Sequence, residues 1–350
     1  VGCASSVVFE MTVPGGPAPT VGLSGVGVKP THRRRGINTA LMRRQLDDIR
    51  EEGHALAALY ASEGGIYGRF GYGLATLAGS IDIETSRSAF VRGSERQDGF
   101  RLLDRDAARD PCLSVYERAR LTRPGAMAVN ANWFDYEFAE KHFGEERHFF
   151  FAVHEAGEGP DAFAAYTVKH EWAGSVPRSE LEVHALEGLT PRAYAAAWRF
   201  VLDVDLIHRV TASNRPADEP ILHVLREPRR LNLRLKDGLW VRLVDVPAAL
   251  AARRYAVDGR VVFEVRDAFC PWNEGRYELD GGPEGASSRP TDEAADLVLT
   301  VNDLGAAYLG GPSFRQLHRA GRVDEERPGA LSRADAMFGW DPAPWCPLHF

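Results

Sequence analysis

Three consecutive arginines stand where a helix is about to begin. Residues 26–42 read VGVKPTHRRRGINTALM, which is an apolar strand, a proline turn, Arg33, Arg34 and Arg35, then Gly36 opening an amphipathic helix. The N-terminus of a helix already carries about half a positive charge, so guanidinium groups there are destabilising unless an anion is bound among them. With an anion in place the sign reverses. The N–H groups of Gly36, Ile37, Asn38 and Thr39 point out of the first turn without intrahelical partners, and the missing Cβ at Gly36 lets a ligand approach the backbone. The stretch reads as a cradle for a diphosphate, set between a strand and a helix that runs to about residue 52. On that helix Ile37, Ala40, Leu41, Met42, Leu46 and Ile49 form an apolar arc, while Arg43, Arg44, Asp47 and Arg50 face elsewhere, so one side is expected to pack on a sheet.

Residues 55–76, ALAALYASEGGIYGRFGYGLAT, add a buried-type strand running into a glycine-rich turn with two tyrosines. The spacing Arg33-x-x-Gly36 resembles the acyl-CoA loop of the GNAT N-acetyltransferases, written (Gln/Arg)-x-x-Gly-x-(Gly/Ala), and departs from it at Asn38. Taken together and in this order, PTHRRRG and ASEGGIYGRFGYG resemble the enhanced intracellular survival (Eis) family of acetyltransferases. The resemblance implies an α/β (α+β) chain with a GNAT acetyltransferase fold, a second GNAT-like domain and a C-terminal sterol-carrier-like α/β domain. It further implies acetyl-CoA as acyl donor, a small-molecule amine as acceptor and assembly as a homo-hexamer; no metal is expected, because no cysteines and histidines stand at zinc-type spacing. Against the family, the opening strand, two helices and second strand of the acetyltransferase fold have no counterpart ahead of Val1.

Site residues carry over one at a time. Val26, Gly27 and Val28 end the strand that in the GNAT fold splays from its neighbour and leaves backbone groups free for the pantetheine arm and the thioester. Arg33, Arg34, Arg35, Gly36, Ile37, Asn38 and Thr39 form the diphosphate cradle, and Ser62 and Glu63 would touch the cofactor. The family motif places the general acid at its first tyrosine, Tyr67, with Tyr72 as the rival. A phenol, with its pKa near 10, stays protonated at neutral pH and can serve a departing thiolate. The family's base is the C-terminal carboxylate, which here falls on Phe350 after the Pro-ordered tail WCPLHF. Where the family commonly has an acidic residue beside that terminal Phe, this chain has His349. A histidine near pKa 6.5 offers no attraction to a polycation, so a smaller or less charged amine is as plausible an acceptor as an aminoglycoside-like polyamine or a lysine-type amine.

Composition sets the outer limits. A chain of 350 residues exceeds one comfortable core, and 44% hydrophobic residues can fill two or three. A net charge of -7 argues against general nucleic-acid binding. Apolar runs fall short of a membrane span and no signal peptide heads the chain, so cytoplasmic residence and no membrane partner are expected. Cys3, Cys112, Cys270 and Cys346 stand far apart, which reads as reduced structural thiols. Three blocks are expected, at residues 1–95, 96–235 and 236–350, with VRGSERQDG (91–99) as the first boundary. The second block repeats the α/β pattern, with a hairpin across AGEGP and a helix capped by Thr190 and Pro191, but no Arg-x-x-Gly loop. In the third, Asn302 or Asp303 is expected to cap one helix and Ser332 to start another; its apolar face is read as packing on the other domains, without lipid binding. Two other functional classes stay open: a non-catalytic acyl-CoA- or lipid-binding scaffold, and a site for another phosphorylated ligand such as a nucleotide.

Overall fold

A computed structural model describes residues 1–91, 99–142, 145–157 and 159–350; residues 92–98, most of the expected first boundary, lie outside the described residues. The chain divides into two compact units. The first comprises Val1–Leu77, Arg123–Met127 and Asp237–Phe350; the second comprises Ala78–Thr122 and Ala128–Lys236.

The first unit begins with a hairpin of β1 (Gly2–Val13) and β2 (Gly16–Val28). Pro14 and Gly15 form its tip, and Gly15 has φ +94°, the pattern of a type II turn in which proline fixes the first central residue and glycine supplies the positive φ. Helix α1 (Ile37–Glu51) follows and ends in a Schellman motif: His54 N–H donates to Ile49 and Gly53 N–H to Arg50, with Gly53 at φ +79°. Met42, Leu46 and Ile49 are the buried face of α1, spaced to fall on one side, whereas Ala40 is exposed and Ile37 and Leu41 are half-buried. They pack with Val21, Leu23, Ala57 and Leu59 into the core beneath the sheet.

Chain order and sheet order part company next. The first sheet runs β1, β2, β3 (Leu56–Tyr60), then the strand Leu239–Leu243, then β4 (Gly73–Leu74). The strand Leu239–Leu243, which the sequence groups with the third block, is antiparallel to β3, pairing Leu239 with Tyr60 and Leu243 with Leu56. Conversely, the strand Leu77–Glu84, grouped with the first block, pairs with Ile207–Pro216 in the second unit. Hydrophobic pattern identifies these strands but carries no information on which sheet receives them.

The rest of the first unit is a five-stranded sheet ordered Gly285–Pro290, Gly275–Gly282, Gly259–Arg266, Leu297–Thr300, Val323–Glu325, flanked by helices. Its interior is filled by Phe263, Phe314, Phe338 and Tyr255, buried and in ring contact at 4.9–5.9 Å. The cap of the helix Val301–Ala307 is Thr300, not Asn302 or Asp303: its hydroxyl accepts from the N–H of Asp303, and the Asp303 carboxylate accepts from the Thr300 N–H, a capping box that a search for the first polar residue misplaces. The last helix spans Ala330–Phe338 and is capped by Gly329, so it begins two residues before the expected Ser332.

The second unit is built on a seven-stranded sheet with the helices Arg105–Arg120 and Pro191–Leu202. Thr190 caps the latter as expected, accepting from Ala193 N–H at 3.1 Å, and Phe149–Ala156 pairs with Gly159–Lys169 as the expected hairpin. Trp198, Val201, Leu181 and Val210 are fully buried in its core. All four cysteines of the chain are free, Cys3 exposed and the others buried. Among the described residues, no helix is long and apolar enough to cross a membrane.

In the second unit, His184 is held neutral. Arg147 can only donate, so at 3.1 Å His184 Nδ1 must accept, and Nε2–H is left to donate to Thr167 Oγ1 at 2.9 Å. Burial and the Arg147 charge lower its pKa to about 4, although Glu182 lies 3.9 Å away. A folded pKa below the unfolded value means that the unfolded chain takes up the proton first as pH falls. Stability is therefore complete above about pH 6.5 and lost progressively down to about pH 4, by roughly 2–3 kcal/mol. Urea denaturation of wild type and His184→Gln across this range should show a shallower pH dependence in the variant; parallel curves would contradict it.

Candidate active site

A groove of about 530 Å³ opens between the end of β2, the start of α1 and the loop after β3. Its existence follows from a parting of strands. β2 and β3 pair in parallel at Val21↔Ala57, Gly22↔Ala58 and Leu23↔Leu59, and there the pairing stops, although β2 continues to Val28 against β1. The β3-facing backbone groups of its last residues are thereby released from the ladder, and Val26, Gly27 and Val28 line the groove.

One wall is the beginning of α1. Gly36 is its N-cap at φ +75°, no side chain caps the helix, its first turn contains no acidic residue, and the first helical bond is Ala40 N–H to Gly36 at 2.9 Å. Ile37, Asn38 and Thr39 therefore present uncapped N–H groups at the groove. A Cβ placed on Gly36 would meet nothing within 4 Å, so the backbone there faces open space. Asn38 adds a buried side-chain oxygen without a hydrogen-bond partner. Arg33 and Arg34 line the groove, are exposed, and make no ion pair among the described residues; Arg34 adopts φ +61°, a left-handed conformation that costs a side-chain-bearing residue on the order of 1 kcal/mol. Arg35 lies outside the lining. The donors, the charges and the free space suit a diphosphate.

The facing wall is the loop from β3 through α2 (Gly64–Tyr67) and a 3-10 turn at Gly68–Phe70. Ser62, Glu63, Ile66, Tyr67 and Arg69 reach the groove. Tyr67 is 6% exposed; burial raises its pKa above 10, and a hydrogen bond with the Ser62 side chain pulls the other way. Tyr72 is fully enclosed behind it, its ring edge-on to that of Tyr67 at 6.3 Å, its hydroxyl without a partner and its pKa driven far up by burial. Of the two tyrosines, Tyr67 is the one that lines the groove.

Phe350 is placed elsewhere on the same sheet. The tail is docked by buried Trp345, Cys346 and Leu348, by Trp345 N–H to Pro124 at 2.8 Å and by the Tyr60 hydroxyl to the Cys346 carbonyl at 3.0 Å. The Phe350 ring packs on Phe9 at 4.9 Å and Tyr60 at 5.6 Å, and a Cβ on Gly22 would come within 2.7 Å of it. Gly22 thus makes room for the ring just before β2 and β3 separate. His349 is exposed, 4.4 Å from the Tyr60 ring.

The sequence reading did not single out His32, Ile66 or Arg69, which also line the groove. His32 and Arg69 belong to the two motifs already quoted, His32 beside the arginines and Arg69 in the glycine-rich turn, and that adjacency is the available signal. Ile66 had none, since an apolar residue beside Tyr67 reads equally well as core.

The acetyltransferase (GNAT) domain pattern matches residues 1–75, a second acetyltransferase (GNAT) pattern residues 125–243, and the sterol carrier protein domain residues 246–347. An uncharacterized N-acetyltransferase of Streptomyces avermitilis is 47% identical over 361 residues, covering 100% of this chain and 87% of that protein. The N-acetyltransferase Eis of Mycobacterium tuberculosis is 35% identical over 355 residues, 97% of this chain and 83% of its own length. The crystal structure of Eis1 from Mycobacterium abscessus superposes with a TM-score of 0.88 at 35% identity, covering 100% of this chain and 87% of that one. With two GNAT domains, a sterol-carrier domain and relatives that match along nearly the whole of this chain, the chain is an acyltransferase that belongs to the Eis family of N-acetyltransferases.

Proposed function

We propose that the protein transfers acetyl from acetyl-CoA to a primary amine of a small molecule by direct attack, with the groove holding the donor. The observation that carries this reading is the presence, in one groove, of an uncapped helix start flanked by unpaired arginines and a buried tyrosine with a polar partner. Acetyl-CoA supplies the activated thioester. Arg33, Arg34 and the N–H groups of Gly36, Ile37, Asn38 and Thr39 hold its diphosphate, Arg35 adds charge from outside the lining, and Ser62 and Glu63 contact the cofactor from the facing loop. The freed backbone at Val26, Gly27 and Val28 takes the pantetheine arm and donates to the thioester oxygen as it becomes negative.

Attack by the neutral amine breaks the C–S bond, and the thiolate must be stabilised or protonated. Tyr67 serves this step. A phenol above pKa 10 gives its proton to a thiolate of pKa near 8.5 only against an uphill difference of about 2 kcal/mol, so much of its contribution is a hydrogen bond to the developing charge. The amine's own proton leaves toward the α-carboxylate of Phe350 through water; with a pKa near 3.5 that group is a weak base and a good anchor for an ammonium. Candidate acceptors are an aminoglycoside-like polyamine, a natural-product amine and a lysine-type amine, to be separated by a panel of amines with a free-thiol readout. The protein assembles as a homo-hexamer, as in the family, and acts in the cytoplasm; light scattering tests the assembly.

Arg33→Ala and Arg34→Ala should each raise KM for acetyl-CoA by roughly tenfold, about 1.4 kcal/mol, and more at low salt than at high, with kcat little changed; an unchanged KM removes the arginines from donor binding.

Tyr67→Phe should lower kcat by about 10²–10⁴ and leave acetyl-CoA affinity as it was. Because burial raises the phenol pKa, wild-type kcat should show no alkaline loss assignable to Tyr67 below about pH 10. Full activity in Tyr67→Phe would transfer the role away from it.

Adding a few residues after Phe350 should abolish transfer while calorimetry still detects acetyl-CoA binding. Undiminished turnover would exclude the Phe350 carboxylate from the reaction.

A further inference from the structure

Asn302 occupies the first turn of the helix Val301–Ala307, but the cap of that helix is already complete through Thr300 and Asp303. Its carboxamide is used elsewhere. Asn302 Nδ2 donates to the carbonyl of Gly68 and, at 3.0 Å, to the carbonyl of Tyr72. These two carbonyls bracket the turn that directly follows Tyr67. Gly68 follows Tyr67 directly; Tyr72 N–H donates to the Tyr67 carbonyl at 3.4 Å, and Gly71, at φ +86°, donates its N–H to Gly68 at 3.1 Å. A primary amide has two N–H protons, and here two carbonyls receive them.

The approach is close on both sides. A Cβ on Gly73 would lie 1.9 Å from the Asn302 carbonyl oxygen, and one on Gly305 would lie 2.5 Å from the carbonyl oxygen of Val241. The helix is therefore seated closely against β4 and the strand Leu239–Leu243, and an asparagine at this position is accounted for by its two hydrogen bonds to the loop and not by the cap, which Thr300 and Asp303 complete.

We propose that Asn302, from the sterol-carrier-like domain, is a positioning residue for acetyl transfer: it ties the two ends of the 68–72 turn, which follows Tyr67 directly, so that Tyr67 presents its phenol to the groove. This rests on the reading of Tyr67 as the proton donor. Asn302→Asp substitutes acceptors for both donors and sets a carboxylate against two carbonyl oxygens.

The test is a double-mutant cycle on the full chain, with kcat and KM measured for wild type, Asn302→Asp, Tyr67→Phe and the double variant. Asn302→Asp is expected to lower kcat by roughly 10- to 100-fold, leave KM for acetyl-CoA unchanged, and cause no further loss in the Tyr67→Phe background. Asn302→Gln, which keeps the NH2 group, should recover part of the rate. Unchanged kcat in Asn302→Asp, or an equal fold-loss in both backgrounds, overturns the inference. Should Asn302→Asp fail to fold, Asn302→Ala carries the same cycle by deleting the donors alone. A fully active Tyr67→Phe overturns the proton-donor reading together with this inference, whereas an impaired Tyr67→Phe beside an unaffected Asn302→Asp overturns this inference only.

Discussion

The beginning of α1 is electrostatically incomplete, and the arrangement of the site follows from that. A helix that starts on glycine has no side chain with which to cap itself, and this one has arginines where stability would favour acids. The imbalance is tolerable because the N–H groups and guanidinium groups face a space from which a neighbouring strand has withdrawn. Had β2 and β3 stayed paired beyond Leu23 and Leu59, their ladder would have consumed the backbone groups that line the groove. Strand separation, glycine cap and uncompensated charge are thus one device seen at three levels.

The loop opposite is held by polar groups from later in the chain. Beneath Gly71 lies Arg242, fully buried, its Nη2 2.6 Å from Asp267; a Cβ on Gly71 would come within 1.5 Å of the guanidinium. Asp267 also accepts from Asn273 Nδ2 and from the N–H of Cys270. A buried ion pair is costly to desolvate and costly to break, so it is weak evidence for added stability and better evidence for a fixed arrangement. Through Asp267 the sterol-carrier domain thus lies under the loop that faces α1, and its own interior is filled by aromatic rings around Phe263 and Phe338.

The residues legible in the sequence were those whose chemistry is local. That Arg33, Arg34 and Gly36 would stand together at a helix start could be read because charge, glycine and helix period are adjacent, and the glycine-rich turn around Tyr67 because its motif is contiguous. Thr190 was legible as a cap for the same reason. What could not be read depends on distance in the chain. Neither the sheet that receives Leu239–Leu243 nor the one that receives Leu77–Glu84 is encoded in either strand's own alternation. Asn302 looked like a cap because a polar residue at a helix start usually is one, and only its contact with residues 68 and 72 gives it another use. Arg35 shares its neighbours' charge but not their place in the groove, since side-chain direction in a turn does not follow from composition.

The insertion of Leu239–Leu243 between β3 and β4 bears on how the molecule is made. During synthesis the hairpin, α1 and β3 emerge before the second unit, and β3 then waits with an open hydrogen-bonding edge while the whole of that unit is translated. Closing so long a loop is entropically slow. The sheet that bears the groove is therefore among the last parts to be finished, and any ribosomal product that stops short of residue 243 leaves it a sticky intermediate in place of an enzyme.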